Sequence, residues 1–232
     1  MPGMMHAHPV NIFHHLLIIM QINNTIAVLG GTGKSGQYLI RQLLGRGFSV
    51  KMLLRDPLKL QIKSPFIEIV PGNARDPKAI HSLISGSQAV ISTLGQPVGE
   101  PSIFSDATRN VLRAMNDFQI KRYILTTGIN VDTPQDRKSG YTASATEWMK
   151  ANYPKTTADK QAEWELLEAS NLEWTLVRLP LIELTNDSPE LKKSLFDCPG
   201  EKISATSLAV FLVDQLSDKT YLMKSPFIAT VQ

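Results

Sequence analysis

The residues best able to do chemistry in this 232-residue chain stand together at Gly30-Gly31-Thr32-Gly33-Lys34-Ser35-Gly36. Gly31, Gly33 and Gly36 satisfy G-x-G-x-x-G, and Gly30, Gly33 and Gly36 also satisfy G-x-x-G-x-x-G. Both spacings serve one purpose. The backbone must turn sharply, come close to an anion with no Cβ in the way, and aim helix N–H groups at it. Roughly 20 residues further on stands Arg55, with Lys59 one turn beyond; a guanidinium there pairs with a phosphate, where a carboxylate would accept from a hydroxyl. Downstream lie two hydroxyls, Thr126 and Thr127, and the ammonium of Lys160.

These groups need a frame, and the sequence supplies one. Thr25–Leu29 is a short apolar run, enough for one buried strand, and it leads straight into the glycines. Leu39, Ile40, Leu43 and Leu44 then recur at helical spacing. Strand, glycine turn and helix form the context in which the motif has meaning. Gly33-Lys34-Ser35 also resembles the end of a triphosphate-binding loop, G-x-x-x-x-G-K-[ST]. That pattern needs glycine at 28, where the chain has Val28, so a dinucleotide pyrophosphate is the better match.

Further strands are expected at Phe48–Leu54, Phe66–Val70, Gln88–Thr93, Arg122–Thr126, Glu173–Leu179 and Phe227–Val231. Helices are expected at Lys78–Ser85, Phe104–Phe118, Lys155–Ser170 and Thr206–Leu216. Such alternation implies an α/β fold with a doubly wound parallel sheet. Asp56 suits a helix cap. Val131–Pro154 reads as a long polar loop or lid carrying Tyr141, Trp148 and Tyr153, the last two as packing or lid residues. Residues 1–24 read as an N-terminal extension, and 25–232 as one domain with a small substrate-side segment over 183–226.

Composition narrows the classes. The chain is 43% apolar and 19% charged with a formal charge of +3, and no basic run exceeds two residues, which argues against nucleic acid. No stretch approaches the length of a membrane span. The single cysteine, Cys198, excludes an internal disulfide framework, fits a reducing cytoplasm, and reads as structural. His6, His8, His14 and His15 lack acidic or thiolate neighbours to complete a metal site, so no metal is expected. His81 reads as a surface residue.

The ordered motifs resemble an atypical short-chain dehydrogenase/reductase, and more narrowly the NmrA-like, biliverdin/flavin-reductase-like NAD(P)-binding group. They are Gly30–Gly36, Arg55-Asp-Pro-x-Lys59, Gly72-Asn73-x-x-Asp76, Thr126-Thr127-Gly128, Lys160-x-x-Glu163 and Trp174-Thr175-x-x-Arg178-x-Pro180. The resemblance implies a Rossmann fold. It implies that Gly30, Thr32, Gly33, Lys34, Ser35 and Gly36 hold a pyrophosphate, and that Arg55 and Lys59 hold the 2′-phosphate of NADP. NAD is not excluded, because Asp56 is adjacent to Arg55. Asn73 and Ala74 would flank the adenine, with Asn73 standing where an aspartate is usual. Thr93, Leu94 and Gly95 would run beneath the nicotinamide ribose, Thr126 and Thr127 would face the nicotinamide, and Pro180 would complete that pocket. Lys160 would reach the ribose hydroxyls, although Lys160 and Glu163 also read as an exposed helix face.

One departure matters more than the matches. Classical short-chain dehydrogenases/reductases pair Tyr-x-x-x-Lys, but one turn before Lys160 stands Thr156. Tyr153 lies across Pro154, and Tyr141 is farther still. Two function classes follow. One is an NADPH-dependent reductase of a flat conjugated acceptor, a flavin or quinone, with Thr127 and Lys160 as its catalytic candidates. The other is an NADP-binding redox sensor without turnover.

Overall fold

A computed structural model describes residues 24–230, apart from the side chain of Lys59; residues 1–23 of the extension, with its four histidines, and the end of the last expected strand lie outside the described residues. The central sheet has eight strands. They are β1 (Thr25–Leu29), β2 (Ser49–Leu54), β3 (Ile67–Pro71), β4 (Ala89–Ser92), β5 (Arg122–Gly128), β6 (Glu173–Leu179), β8 (Leu191–Ser194) and β10 (Phe227–Thr230). Their spatial order is β3-β2-β1-β4-β5-β6-β10-β8, parallel except for β8, which runs antiparallel to β10. Two short strands, β7 (Leu181–Glu183) and β9 (Lys202–Ser204), pair separately above it.

Both faces of the sheet are covered, as a parallel sheet requires. β1 shows how the sequence arranges this. Its alternate residues Ile26 and Val28 join one core cluster, while Ala27 and Leu29 join the other. On the first side lie α1 (Gly36–Gly45) and α6 (Ala205–Asp214), burying Leu39, Ile40 and Leu43 against Leu208, Phe211 and Leu212. On the second lie α2 (Pro77–Ile84), α3 (Phe104–Asp117) and α5 (Pro154–Glu168), contributing Ile80, Leu83, Val111, Met115 and Leu167. Asp56 caps a 3-10 turn by accepting from the Leu58 N–H, and Asp76 caps α2 by accepting from Lys78 N–H. Among the described residues no helix is long and apolar enough to cross a membrane.

The expected loop over Val131–Pro154 is corrected by the structure: it contains α4, Gly140–Asn152. The helix turns small residues inward, with only Thr142 and Thr146 buried, and leaves Trp148 outside. It therefore has no apolar stripe for a reader of periodicity to find. The segment before it is pinned by Lys138, whose Nζ meets Asp132 at 2.7 Å and Thr146 Oγ1 at 3.2 Å.

Arg178 ties the C-terminal third to this framework. Its guanidinium is 1% exposed and meets both Asp136 carboxylate oxygens at 2.7 and 2.8 Å. It also donates to the carbonyls of Val131, Ser225 and Leu195, and it lies 3.5 Å from the centre of the Phe227 ring. One side chain thus joins β6, β10, the chain after β5 and the chain after β8. Burial pulls the Arg178 pKa down and Asp136 pushes it back up. Breaking a buried pair strands the surviving charge, at about 3–5 kcal/mol. Arg178→Met is expected to lose stability of that order in urea denaturation, and Arg178→Met with Asp136→Leu to recover a large part of it; equal losses in the two proteins would contradict this assignment.

Candidate functional site

The sheet order reverses beside β1: β2 leads away on one side and β4 on the other. Loops leaving the ends of β1 and β4 must then part to opposite faces, and a crevice opens between them. A cleft of about 810 Å³ lies there. Its lining includes Gly30, Thr32, Gly33, Lys34 and Ser35 after β1, and Leu54, Arg55 and Asp56 at the end of β2. Gly72, Asn73 and Ala74 follow from β3, and Thr93, Leu94, Gly95, Gln96, Pro97 and Glu100 from β4.

Two of the glycines are fixed by close backbone contact. Gly30 has φ +78°, and a Cβ there would stand 2.6 Å from the carbonyl carbon and oxygen of Thr93. A Cβ at Gly36 would stand 2.1 Å from Gly30 O. Gly33 differs, since its Cβ would meet only Gly30 O, at 3.1 Å. The Ser35 side chain makes no cap bond to α1, and no acidic side chain sits in that helix's first turn. The turn therefore presents N–H groups and the positive end of a helix to the cleft with no carboxylate from that helix's own first turn in place. These features fit a pyrophosphate. Gly36→Ala is expected to lower the melting temperature sharply, while Gly33→Ala keeps the fold; matching melting temperatures for the two would show that the turn is not packed as described.

At the end of β2, Arg55 Nη1 lies 2.6 Å from Glu100 Oε1. Asn73 Oδ1 accepts from Arg75 N–H at 3.0 Å, and the Ala74 carbonyl accepts from Asn110. The side chain of Lys59 lies outside the described residues.

The other expected residues sit apart from the cleft's lining. Thr127 is buried on β5, and its Oγ1 lies 3.4 Å from Lys160 Nζ. Thr126 Oγ1 donates weakly to Ser92 O at 3.5 Å. Lys160 Nζ is 4.3 Å from the Phe104 ring centre. Burial lowers the Lys160 pKa against the pull of Glu163 and Asp159. Pro180 joins β6 to β7, but the wall that this segment gives the cleft comes from Ile182 and Leu184. Tyr153 is 52% exposed with its ring against Trp148, and Tyr141 is 42% exposed. Cys198 is half-buried, and burial raises its pKa, as an inert thiol requires.

Glu163 is the residue that sequence reasoning placed least well. It is no exposed face: only 4% of it is accessible. The Thr108 hydroxyl donates to Oε1 at 2.7 Å, while Oε2 is buried without a partner among the described residues. Thr108 in turn meets the Tyr123 hydroxyl at 3.3 Å. Burial pushes the Glu163 carboxyl up to about 7, opposed by the Thr108 bond and Lys160. Its folded pKa exceeds the unfolded value of 4.5, so the folded state holds the extra proton between the two. Stability is fully present below about 4.5 and falls as pH rises towards 7, by at most about 3 kcal/mol. Glu163→Gln should flatten that slope in melts run from pH 4.5 to 7.5, and an unchanged slope would exclude Glu163 as its source. Helical phase relative to Thr108-bearing α3 was the missing signal, and a single sequence does not give it.

The comparisons agree with this geometry. The profile of a family described as NAD(P)H-binding matches residues 30–219. The chain belongs to that family. A short-chain dehydrogenase/reductase from Veillonella parvula, solved in complex with NADP, superposes with TM-score 0.70 at 15% identity, covering 89% of this chain and 94% of that one. The oxidoreductase ylbE from Lactococcus lactis gives TM-score 0.71 at 14% identity over 90% and 91%. In sequence, cinnamoyl-CoA reductase CAD2 of Medicago truncatula is 22% identical over 193 residues, which are 69% of this chain and 58% of that protein. The present chain thus spans little more than half the length of that curated relative. The family model and the NADP-bound neighbour support a nicotinamide cofactor, and the structural neighbours share the Rossmann-like fold.

Proposed function

We propose that the chain is an NADPH-dependent reductase of the atypical short-chain dehydrogenase/reductase type, acting on a flat conjugated acceptor of the flavin or quinone class. The observation that carries the reading is a cleft with a glycine-built anion turn at its centre and a guanidinium, Arg55, at the end of β2. In this family the second position is where the ribose is read. Arg55 can make charge-assisted bonds to a 2′-phosphate. Gly30–Gly36 would hold the pyrophosphate, and Asn73 and Ala74 would flank the adenine. The reductase name of the Medicago truncatula relative supports the oxidoreductase class.

When bound, the cofactor would supply a hydride; the chain's own residues position and shield. Lys160 Nζ, held between Thr127 and the Phe104 ring, is set to take ribose hydroxyls. Ile182 and Leu184 offer an apolar wall suited to a flat ring. Thr127 Oγ1, buried 3.4 Å from Lys160 Nζ, positions that ammonium, and the proton comes from solvent, since a threonine is too weak an acid to donate on its own. Flavins and quinones tolerate that arrangement. The second reading, an NADP sensor of the NmrA-like kind, is favoured by one observation only: Thr156 stands where the proton-donating tyrosine would.

NADP(H) should bind more tightly than NAD(H) by about 1–3 kcal/mol, the range for hydrogen bonds to charged groups, and Arg55→Ala should erase most of the difference. Equal Kd values for the two in the unmutated protein would overturn the cofactor assignment. For turnover against a flavin and quinone panel, Thr127→Val should cost about tenfold, the loss of one hydrogen bond. Tyr153→Phe should cost far less than the roughly 10²–10⁴-fold of a general acid. Tight NADP binding with no turnover at all would decide for the sensor.

A further inference from the structure

Glu100 lies between two arginines at the ribose end of the cleft. Its Oε1 is 2.6 Å from Arg55 Nη1, and its Oε2 is 3.6 Å from Arg75 Nη1. The carboxylate is not there by chance of a floppy side chain. It rides on a turn, with Glu100 N–H donating to Pro97 O and Gly99 at φ +73°. Gln96 Nε2 straps the turn by donating to the carbonyls of Pro97 and Glu100 at 3.0 and 2.9 Å. Arg75 anchors the following residues through Pro101 O and Ser102 O at 2.6 and 2.9 Å. Asp159 fastens the far end, accepting from Ser102 Oγ and from Phe104 N–H at the start of α3.

We propose that Glu100 is a carboxylate gate that contends with the cofactor's 2′-phosphate for Arg55, and that Arg75 receives Glu100 when Arg55 lets it go. This rests on the reading of the cleft as an NADP site. The physical basis is a difference in strength. The Arg55–Glu100 pair is solvent-accessible, with side chains 56% and 38% exposed, and such a pair contributes little. A phosphate dianion bonded by the same guanidinium contributes more. The exchange therefore runs towards phosphate. Arg75 shortens the journey, because Glu100 keeps a cationic partner without leaving its turn. For a ribose bearing only a hydroxyl, nothing displaces Glu100. The gate thus weakens binding of 2′-phosphorylated nucleotides and leaves the others untouched, so it sets how far the protein discriminates between them.

The probes are 2′,5′-ADP and 5′-ADP, titrated calorimetrically into the full chain. Glu100→Gln keeps the side-chain shape and removes the charge. It should bind 2′,5′-ADP about fivefold tighter, the most an exposed ion pair is worth, with 5′-ADP affinity unchanged. In an Arg55→Ala background the gain should vanish. Asp106→Asn removes a carboxylate 3.8 Å from Arg75, so it controls for the general effect of lost negative charge and should leave both affinities as they were. If Glu100→Gln tightens both nucleotides alike, or neither, the gate is refuted while a preference abolished by Arg55→Ala still upholds the NADP site. If the unmutated protein binds the two nucleotides equally and Arg55→Ala changes nothing, the NADP reading fails and the gate fails with it.

Discussion

Gly30 and Thr93 are the two points where adjacent parallel strands end, and their backbones nearly touch. β1 and β4 run in register to Leu29 and Ser92, and at Gly30, the next residue of β1, a side chain would run into the Thr93 backbone. The Thr93 hydroxyl closes the gap by reaching the carbonyls of Leu29 and Gly30 at 3.4 and 3.3 Å. From that pinch one chain turns into α1 on one face of the sheet and the other continues towards α3 on the opposite face. The cleft is the wedge that their divergence leaves. Gly36 carries the same constraint one step further, because α1 starts almost on top of the Gly30 carbonyl. Widening either contact would move the helix N-terminus away from the mouth of the wedge, and with it the N–H groups that can face an anion.

What could be read from the sequence follows this logic. The strands from β1 to β6 and most of the helices announce themselves, within a residue or two of their observed ends, through short apolar runs or apolar residues at a helical period. The glycine turn and Arg55 were legible because their positions are set by covalent spacing from β1 and β2. Three things were not. α4 hides behind threonines and an outward tryptophan. Glu163 looked like surface because its burial is decided by α3, which packs across it, and not by its own helix. Glu100 and Arg75 meet Arg55 across sequence separations that no local pattern encodes; the Arg55–Glu100 pair alone spans 45 residues. Local order predicts elements, whereas ion pairs between loops depend on how those elements dock.

The sheet's far edge shows the cost of extending such a framework. Beyond β6 the regular alternation stops, and β10 and β8 are added from a region of short strands. β10 contacts β6 in register at only one position, Phe227 with Arg178. The chain just before β10 continues the pairing through backbone bonds, Leu176 N–H to Lys224 O and Arg178 N–H to Pro226 O, and side chains add to them. Arg178 gives N–H groups to Ser225 O and Leu195 O, and Arg122 gives its own to Gln215 O and Glu173 O. Burial draws the Arg122 pKa down to about 10, against Glu173 and Asp218. Buried arginines are expensive to desolvate, but each here satisfies several carbonyls that the irregular chain would otherwise leave unpaired. The segment after β6 can then be irregular without being loose.

Charge on α5 links this framework back to the cleft. Lys160 and Glu163 stand three residues apart on one helix, and an ionised pair at that spacing would partly cancel. The carboxyl is instead buried, with Oε2 unpaired among the described residues, and holds its proton up to about pH 7. An ionised Oε2 in that position would be a buried charge without a donor, which is costly. Below neutrality, therefore, little opposes the Lys160 ammonium from within the helix. Its neighbours are the Thr127 hydroxyl and the electron-rich face of Phe104, which support a cation without neutralising it. Asp159, the other acidic neighbour, is committed to Ser102, Ser105 and the first amides of α3. The helix thus holds a cation at the end of β5 whose burial lowers its pKa, while Asp159, although hydrogen-bonded to the start of α3, and Glu163 pull that pKa back up.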